Sequence, residues 1–391
     1  MTANTENTRQ DYIDWLRVIA IFLLLLLHSA MPFFKWSDWH IHNAERSVIL
    51  THLVSFLHTW RMPLLFFISG FGTFYALKKR SARQYAGERT KRLFIPFIIG
   101  MFLIVPPQVF IEKIGQYGNY FNFLPEMFNG TYPQGNISWH HLWFILYLFL
   151  YSLMLIPFFF WYKSEKGNAL KEKIYKLIAR PGGVLLFVIP FFVVWYSLTP
   201  FFPNETHALF NDWRTFFYNL LFFVFGYMIM SDPRIKDVLV SQRRLLLYAV
   251  FLVFIPWYSN MFLPWESYSW IYYDAESMLL AWFIICALIG YGAKYLNRSN
   301  KFLKYANGAL YPFYIVHQTV IVIIGYYILQ QNWGIGLKYL VINVGTLVIS
   351  LFLYEYIIRR TVVTRVIFGV KKPKLAESKT LVPEPVPVEN K

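Results

Sequence analysis

The sequence predicts an all-α polytopic integral membrane protein of about ten transmembrane helices with both termini in the cytoplasm. Three observations carry that expectation. Of 391 residues, 57% are hydrophobic and only 15% charged, a balance too apolar for a soluble domain of this length. The apolar runs reach the roughly 20 residues that a helix needs to cross a bilayer. The connections between runs also alternate in charge. Thirty Lys and Arg fall in the N-terminal segment, in 78–92, 163–182, 231–244, 294–308 and in 359–391, against only Lys35, Arg46 and Lys113 in the intervening connections. Such an excess marks the cytoplasmic side and requires an even number of spans.

Taken in order, the expected spans are 13–34, 56–77, 93–112, 139–162, 183–199, 212–230, 245–262, 274–293, 309–329 and 336–358. The first run is too long for a signal-peptide core and precedes no small-residue cleavage site, so it reads as an uncleaved anchor. The run 183–199 is short and bounded by prolines, which makes it the least regular of the set. The connection 113–138, rich in glycine, proline and aromatics, is long enough to shape a cavity mouth or to be a plain surface loop. Residues 1–12 form a cytoplasmic N-terminal segment, 13–360 one membrane domain, and 361–391 a Pro- and charge-rich tail of disordered composition. No internal repeat stands out. The net charge of +16 follows topology and contact with the lipid bilayer, and is no nucleic-acid footprint. A single cysteine, Cys286, permits no disulfide framework within the chain.

Chemistry enters with the first span, DYIDWLRVIAIFLLLLLHSAMPFF, which carries Asp14, Arg17 and His28. Eleven residues close about three helical turns, so Arg17 and His28 share one face about 16 Å apart. Ionisable groups at membrane depth are costly and point to function, although a buried polar contact between helices is the bland alternative. Arg61 in the second, antiparallel span sits at the depth of His28, about 22–24 Å from the inner surface. A neighbouring cation disfavours a second positive charge and keeps an imidazole neutral, the state that a general base needs. Snorkelling of Arg61 toward the outer interface is the alternative. Near the inner mouth, Arg17 suits an anionic ligand, with Asp14 one turn earlier to hold it or simply to pair with it. Arg89 and Arg92, in GERTKRLFIPF, suit the phosphates of a nucleotide-like cofactor or simply mark the membrane boundary.

At the outer face, His140, His141 and Trp143 open the fourth span. Aromatic and histidine groups there fit sugar stacking as well as an interfacial aromatic belt. In the ninth span, LYPFYIVHQTVIVIIGYY, Tyr314 and His317 share a face by their i,i+3 spacing, and a second intramembrane histidine favours a polar cavity. Glu355 and Arg359 are spaced for an interfacial ion pair. The pairs His40/His42 and His140/His141 lack metal-ligand spacing, so no metal site is expected. No HExxH, P-loop or nucleophile elbow is present.

The Arg-x10-His pattern of Arg17 and His28 preceded by Asp14, the FFISGF at 66–71 and the Arg-x-x-Arg…Pro run at 89–96 together resemble the membrane acyltransferase-3 family. Within it, RMPLLFFISGF, HHLWFILYLFL, YPFYIVHQTVIV and the closing YEYIIRR…FGVK look closest to the glucan-biosynthesis protein C group, which succinylates periplasmic glucans. The resemblance spans nearly the whole chain. It implies acyl transfer from cytosolic acyl-CoA to a hydroxyl of an extracytoplasmic glycan, in a multi-pass protein of a bacterial-type inner membrane. By motif position, His28 would be the catalytic histidine, Arg17 its partner, and Arg89 and Arg92 contacts of the acyl donor.

The expectation is therefore a membrane O-acyltransferase with no permanently bound cofactor. Acyl-CoA is its donor, an envelope glycan its acceptor, and envelope-biosynthesis proteins are possible partners. Arg61 is expected at the developing oxyanion, and His141, Trp143, Tyr314 and His317 at the acceptor. A transporter or flippase of an anionic glycan or lipid would line its path with the same charges.

Overall fold

The computed structural model describes residues 10–37, 39–261 and 270–370. Among these the chain is helical and carries no strand. An isolated bridge between Thr131 and Ile137 is the one β-type contact. The tail beyond residue 370 and the first nine residues lie outside the described residues.

The first span is α1, Asp11–Ala30. Asp11 and Asp14 in its first turn complement the helix dipole, and Pro32 follows directly in a 3-10 turn. The second helix, α2, Val48–Lys78, is capped by Ser47, whose side chain accepts the Leu50 N–H. Next comes α3, Ala82–Arg89, opened by a capping box between Ser81 and Gln84. A π-helical turn, Thr90–Phe94, links it to α4, Ile95–Leu103, and α5, Pro106–Glu112, completes that pass. The fourth expected span is a bent pair, α6, Trp143–Met154, and α7, Ile156–Lys163, joined at 52° just before Pro157. After α8, Asn168–Ala179, come α9, Ile189–Leu198, α10, Trp213–Met230, α11, Pro233–Asn260, and α12, Trp270–Tyr295. Then α13, Lys301–Leu329, capped by Asn300, and α14, Ile335–Leu353, form the last long pair. A short helix, α15, Val362–Ile367, ends the described chain.

Six of these helical stretches are long and apolar enough to cross a membrane, or seven with the bent pair taken as one span. The chain is a multi-pass membrane protein. The other three expected spans fall on α2, on α9 with the 3-10 turn before it, and on α10. The physical reason for the shortfall at α2 is compositional. Its 31 residues are long enough, but His52, His58 and Arg61 lower its mean hydropathy, and the helix is largely enclosed by others rather than by lipid.

α2 is the centre of the bundle and packs against α1, α10 and α12. Its approach to α10 is the closest. A Cβ on Gly70 would collide with the Phe223 carbonyl oxygen, and one on Gly226 with the Phe67 carbonyl oxygen. Reciprocal small residues let the two backbones meet, as in membrane helix pairs generally. α1 lies against α2 on one side and α13 on the other. The Trp15 indole N–H donates to the Arg298 carbonyl at 2.9 Å, which fixes the starts of α1 and α13 at one end of the bundle. The two helices therefore run parallel, and residues equally far along them face each other.

Candidate active site

His28, near the far end of α1, meets His317 on α13. Their Nδ1 and Nε2 atoms lie 2.8 Å apart, and the rings are stacked with an interplanar angle of 7°. His317 in turn places Nδ1 at 2.6 Å from the Tyr314 carbonyl oxygen. A carbonyl only accepts, so we assign the proton to His317 Nδ1; its Nε2 is then an acceptor, and the donor is His28 Nδ1–H. The network leaves both rings neutral. It also leaves His28 Nε2 as a bare lone pair without a partner among the described residues, on a side chain that lines a cavity of about 790 Å³.

Arg61 lines the same cavity. Its residue is only 2% exposed, yet its Nε and Nη1 have no hydrogen-bond partner among the described residues. A buried guanidinium without its counter-charge is expensive to hold, and it suits an anion or a charge that develops during reaction. The expected neighbours come together here as well. His141 Nε2 donates to the Ile315 carbonyl at 3.0 Å, and the Tyr314 hydroxyl donates to the His141 carbonyl. Trp143 stacks on His207 with ring centroids 4.0 Å apart. His141, Trp143 and Tyr314 all line the cavity, while His317 supports His28 from behind.

The connection 113–138 contributes to the mouth: Thr131, Tyr132 and Ser138 are on the wall. Lys113 fastens this loop, donating to the carbonyls of Pro133 and Gly135 at 3.0 and 2.7 Å.

Several residues here escaped sequence reasoning. His58 lies one turn before Arg61 on α2 and faces the cavity with it; their i,i+3 spacing was the available signal. His40, from the α1–α2 connection, bonds Glu112 of α5 through Nδ1 at 2.7 Å. The Gln318 amide donates to His40 Nε2 at 3.0 Å, and the Tyr132 hydroxyl to Glu112 at 2.7 Å. With His140, these side chains bring three potential metal-ligating atoms within 4.8 Å of one another. Both nitrogens of His40 and both oxygens of Glu112 take part in hydrogen bonds. His140 Nε2 is buried and has no hydrogen-bond partner among the described residues, on a residue with φ +35°.

The remaining expected residues lie at the opposite end of the bundle, where α1 and α13 begin. Arg17 pairs with Asp14 at 3.1 Å, and its Nη2 stands 3.9 Å from where a Cβ of Gly72 would be. Arg89 donates to the Thr73 hydroxyl at 3.2 Å and rests on the Tyr85 ring. Arg17 and Arg89 thus converge on adjacent residues of α2. Arg92 turns away to Glu88, at 3.1 Å, a carboxylate shared with Arg80. Two polar groups on the first turns of α13, the Asn307 amide and the Tyr311 hydroxyl, have buried atoms without a partner among the described residues. The arrangement thus has two polar levels joined by apolar helix faces: cations at one end, a histidine pair with an unpaired arginine at the other.

A family model described as an acyltransferase domain matches residues 10–355. The chain is 25% identical over 368 residues to the glucans biosynthesis protein C of Escherichia coli O1:K1, covering 90% of this chain and 92% of that protein. The protein of the same name from Escherichia coli strain K12 matches over the same shares at the same identity. No solved structure matches the chain.

Proposed function

The chain belongs to the membrane acyltransferase-3 family and is an acyltransferase, and from that premise we propose that it moves an acyl group, acetyl or succinyl, from cytosolic acyl-CoA to a hydroxyl of an extracytoplasmic glycan. The observation that carries this reading is the bare Nε2 of His28, held by His317 in a cavity that Arg61 also faces. The relatives' name supports a glucan as the acceptor. On this reading the membrane domain is 13–360, with ten spans in an inner membrane and the cation-rich end in the cytoplasm, as the charge of the connections requires.

The donor's phosphates dock on Arg17 and Arg89, with Arg92 at the rim, and the unpartnered Asn307 and Tyr311 meet its polar arm. The arm carries the thioester about 16 Å to the level of His28. There His28 Nε2 takes the proton of the acceptor hydroxyl as its oxygen bonds to the thioester carbonyl carbon. Arg61 stabilises the oxyanion that forms. When the tetrahedral centre collapses, the C–S bond breaks and the departing thiolate takes the proton from His28. The products are the O-acyl ester and free CoA. A route in which the acyl group first rests on His28 Nε2 uses the same atoms. Tyr314, His141 and Trp143 shape the acceptor side of the cavity.

Mass spectrometry of envelope glycans from cells with and without the protein tests the proposal. An acyl mass increment present only with the protein is expected, and its size names the group. Identical increments in both, with an unacylated glycan missing from the outer compartment, would favour a transporter.

A further inference from the structure

A second chamber of about 450 Å³ adjoins the first and shares Met31, His58, Met62 and Trp143 with it. It lies among α2, α9, α10 and α12, and its size is that of a small-molecule site. One face of α10 supplies Arg214, Thr215 and Asn219, which are 7%, 3% and 3% exposed. Each carries a buried polar atom with no partner among the described residues: Nε, Oγ1 and Oδ1, respectively. A buried polar group left without a hydrogen bond is costly, so three on one wall point to a polar occupant.

The charges say what kind. The Arg214 guanidinium stacks on the Trp195 ring at 4.2 Å, and the Trp195 indole N–H donates to Asp274 at 2.8 Å. Glu205 also lines the chamber. Burial pushes its carboxyl up, but the His207 ring at 2.7 Å more than offsets this and holds it well below the usual carboxylate range. A cation balanced by two carboxylates does not select an anion. Unpaired donors and acceptors interleaved with the indoles of Trp36, Trp143 and Trp195 suit a neutral polyhydroxylated ring, which offers hydroxyls at its edge and C–H groups on its face.

We infer that this chamber is a carbohydrate subsite, so that the acceptor is an oligosaccharide whose reacting sugar lies beside His28 and whose neighbouring sugar lies against Thr215, Asn219 and Trp195. This rests on the acyl-transfer reading for the identity of the acceptor. Trp143, at the junction, is common to both sugars.

The test is calorimetric titration of the full-length protein in detergent with glucose, its dimer and its tetramer, beside acyl-transfer rates to the same compounds. The wild type should gain about tenfold in affinity from monomer to oligomer. The near-isosteric variants Thr215→Val and Asn219→Leu should lose that gain while binding the monomer as before. Equal affinity for all lengths, or an undiminished gain in both variants, would mean that the chamber holds water only and would overturn the inference. The gain without transfer to any of the sugars would leave the subsite standing and remove the acyl-transfer reading. Transfer without the gain would do the reverse.

Discussion

His28 and His317, 289 residues apart in the chain, hold one another at 2.8 Å. The pair is possible because α1 and α13 start at the same end and run parallel. What it does is settle a tautomer: the Tyr314 carbonyl fixes His317, and His317 fixes His28. One ring nitrogen of His28 is then always the free acceptor, and the side chain lines the cavity.

On the proposed mechanism that relay makes His317 a positioning residue. His317→Leu should lower kcat by about 10²–10³, within the range that general-base catalysis contributes, because His28 could then turn either nitrogen inward. His317→Gln retains an acceptor for His28 Nδ1–H and should recover part of the loss. The KM for the acyl donor should not move in either variant. Steady-state kinetics with both variants checks this; equal losses in Leu and Gln would argue for a packing role.

Arg61 is expected to act on the transition state. Arg61→Met should cost about 10²–10³ in kcat, the scale of one lost oxyanion contact, and Arg61→Lys less. Removing an unpaired buried charge should not lower the thermal midpoint. Activity and midpoint measured on the same preparations separate the two effects, and a loss of folding parallel to the loss of rate would contradict the assignment.

At the other end, Arg17→Ala and Arg89→Ala should each raise KM for acyl-CoA about tenfold, the worth of one charge-assisted hydrogen bond. Their kcat and the KM for the acceptor should stay near wild type. Initial-rate kinetics with each substrate varied in turn is the check. A changed acceptor KM would place these arginines in the wrong half of the reaction.

The α2–α10 seam should be intolerant of added volume. Gly226→Ala sets a methyl against the Phe67 backbone, which has no flexible side chain to move aside. Overpacking of this kind costs about 1–3 kcal/mol, read as a lower thermal midpoint of the purified protein. Gly115→Ala, where a Cβ meets nothing within 4 Å, is the matched control.

Much of this arrangement was legible in the sequence because helix geometry and charge placement are local rules. The spacing of Arg17 and His28 put them on one face, and counting along antiparallel spans put Arg61 at the depth of His28. Both do meet the same cavity. The partner of His317 was not legible, since nothing local says that the first and ninth expected spans are neighbours. For the same reason the cluster of His40, Glu112 and His140, drawn from three separate segments, was hidden behind adjacent-histidine spacings that lead nowhere. Arg89 and Arg92 read as a pair, but the π-helical turn beginning at Thr90 sends one to Thr73 and the other to Glu88. The expected span 56–77 falls on α2, and His58 and Arg61, which lower its mean hydropathy, are the groups that it turns toward the cavity.

The most direct test of the account is acyl transfer by the purified full-length protein with His28 replaced by Ala. Labelled acyl-CoA and a glucan are the substrates, and circular dichroism of the same sample confirms the helical fold. The account predicts a fall of at least about 10²–10⁴ in the transfer rate with the helical signal unchanged. Transfer within a few-fold of wild type by a folded His28→Ala protein would contradict it.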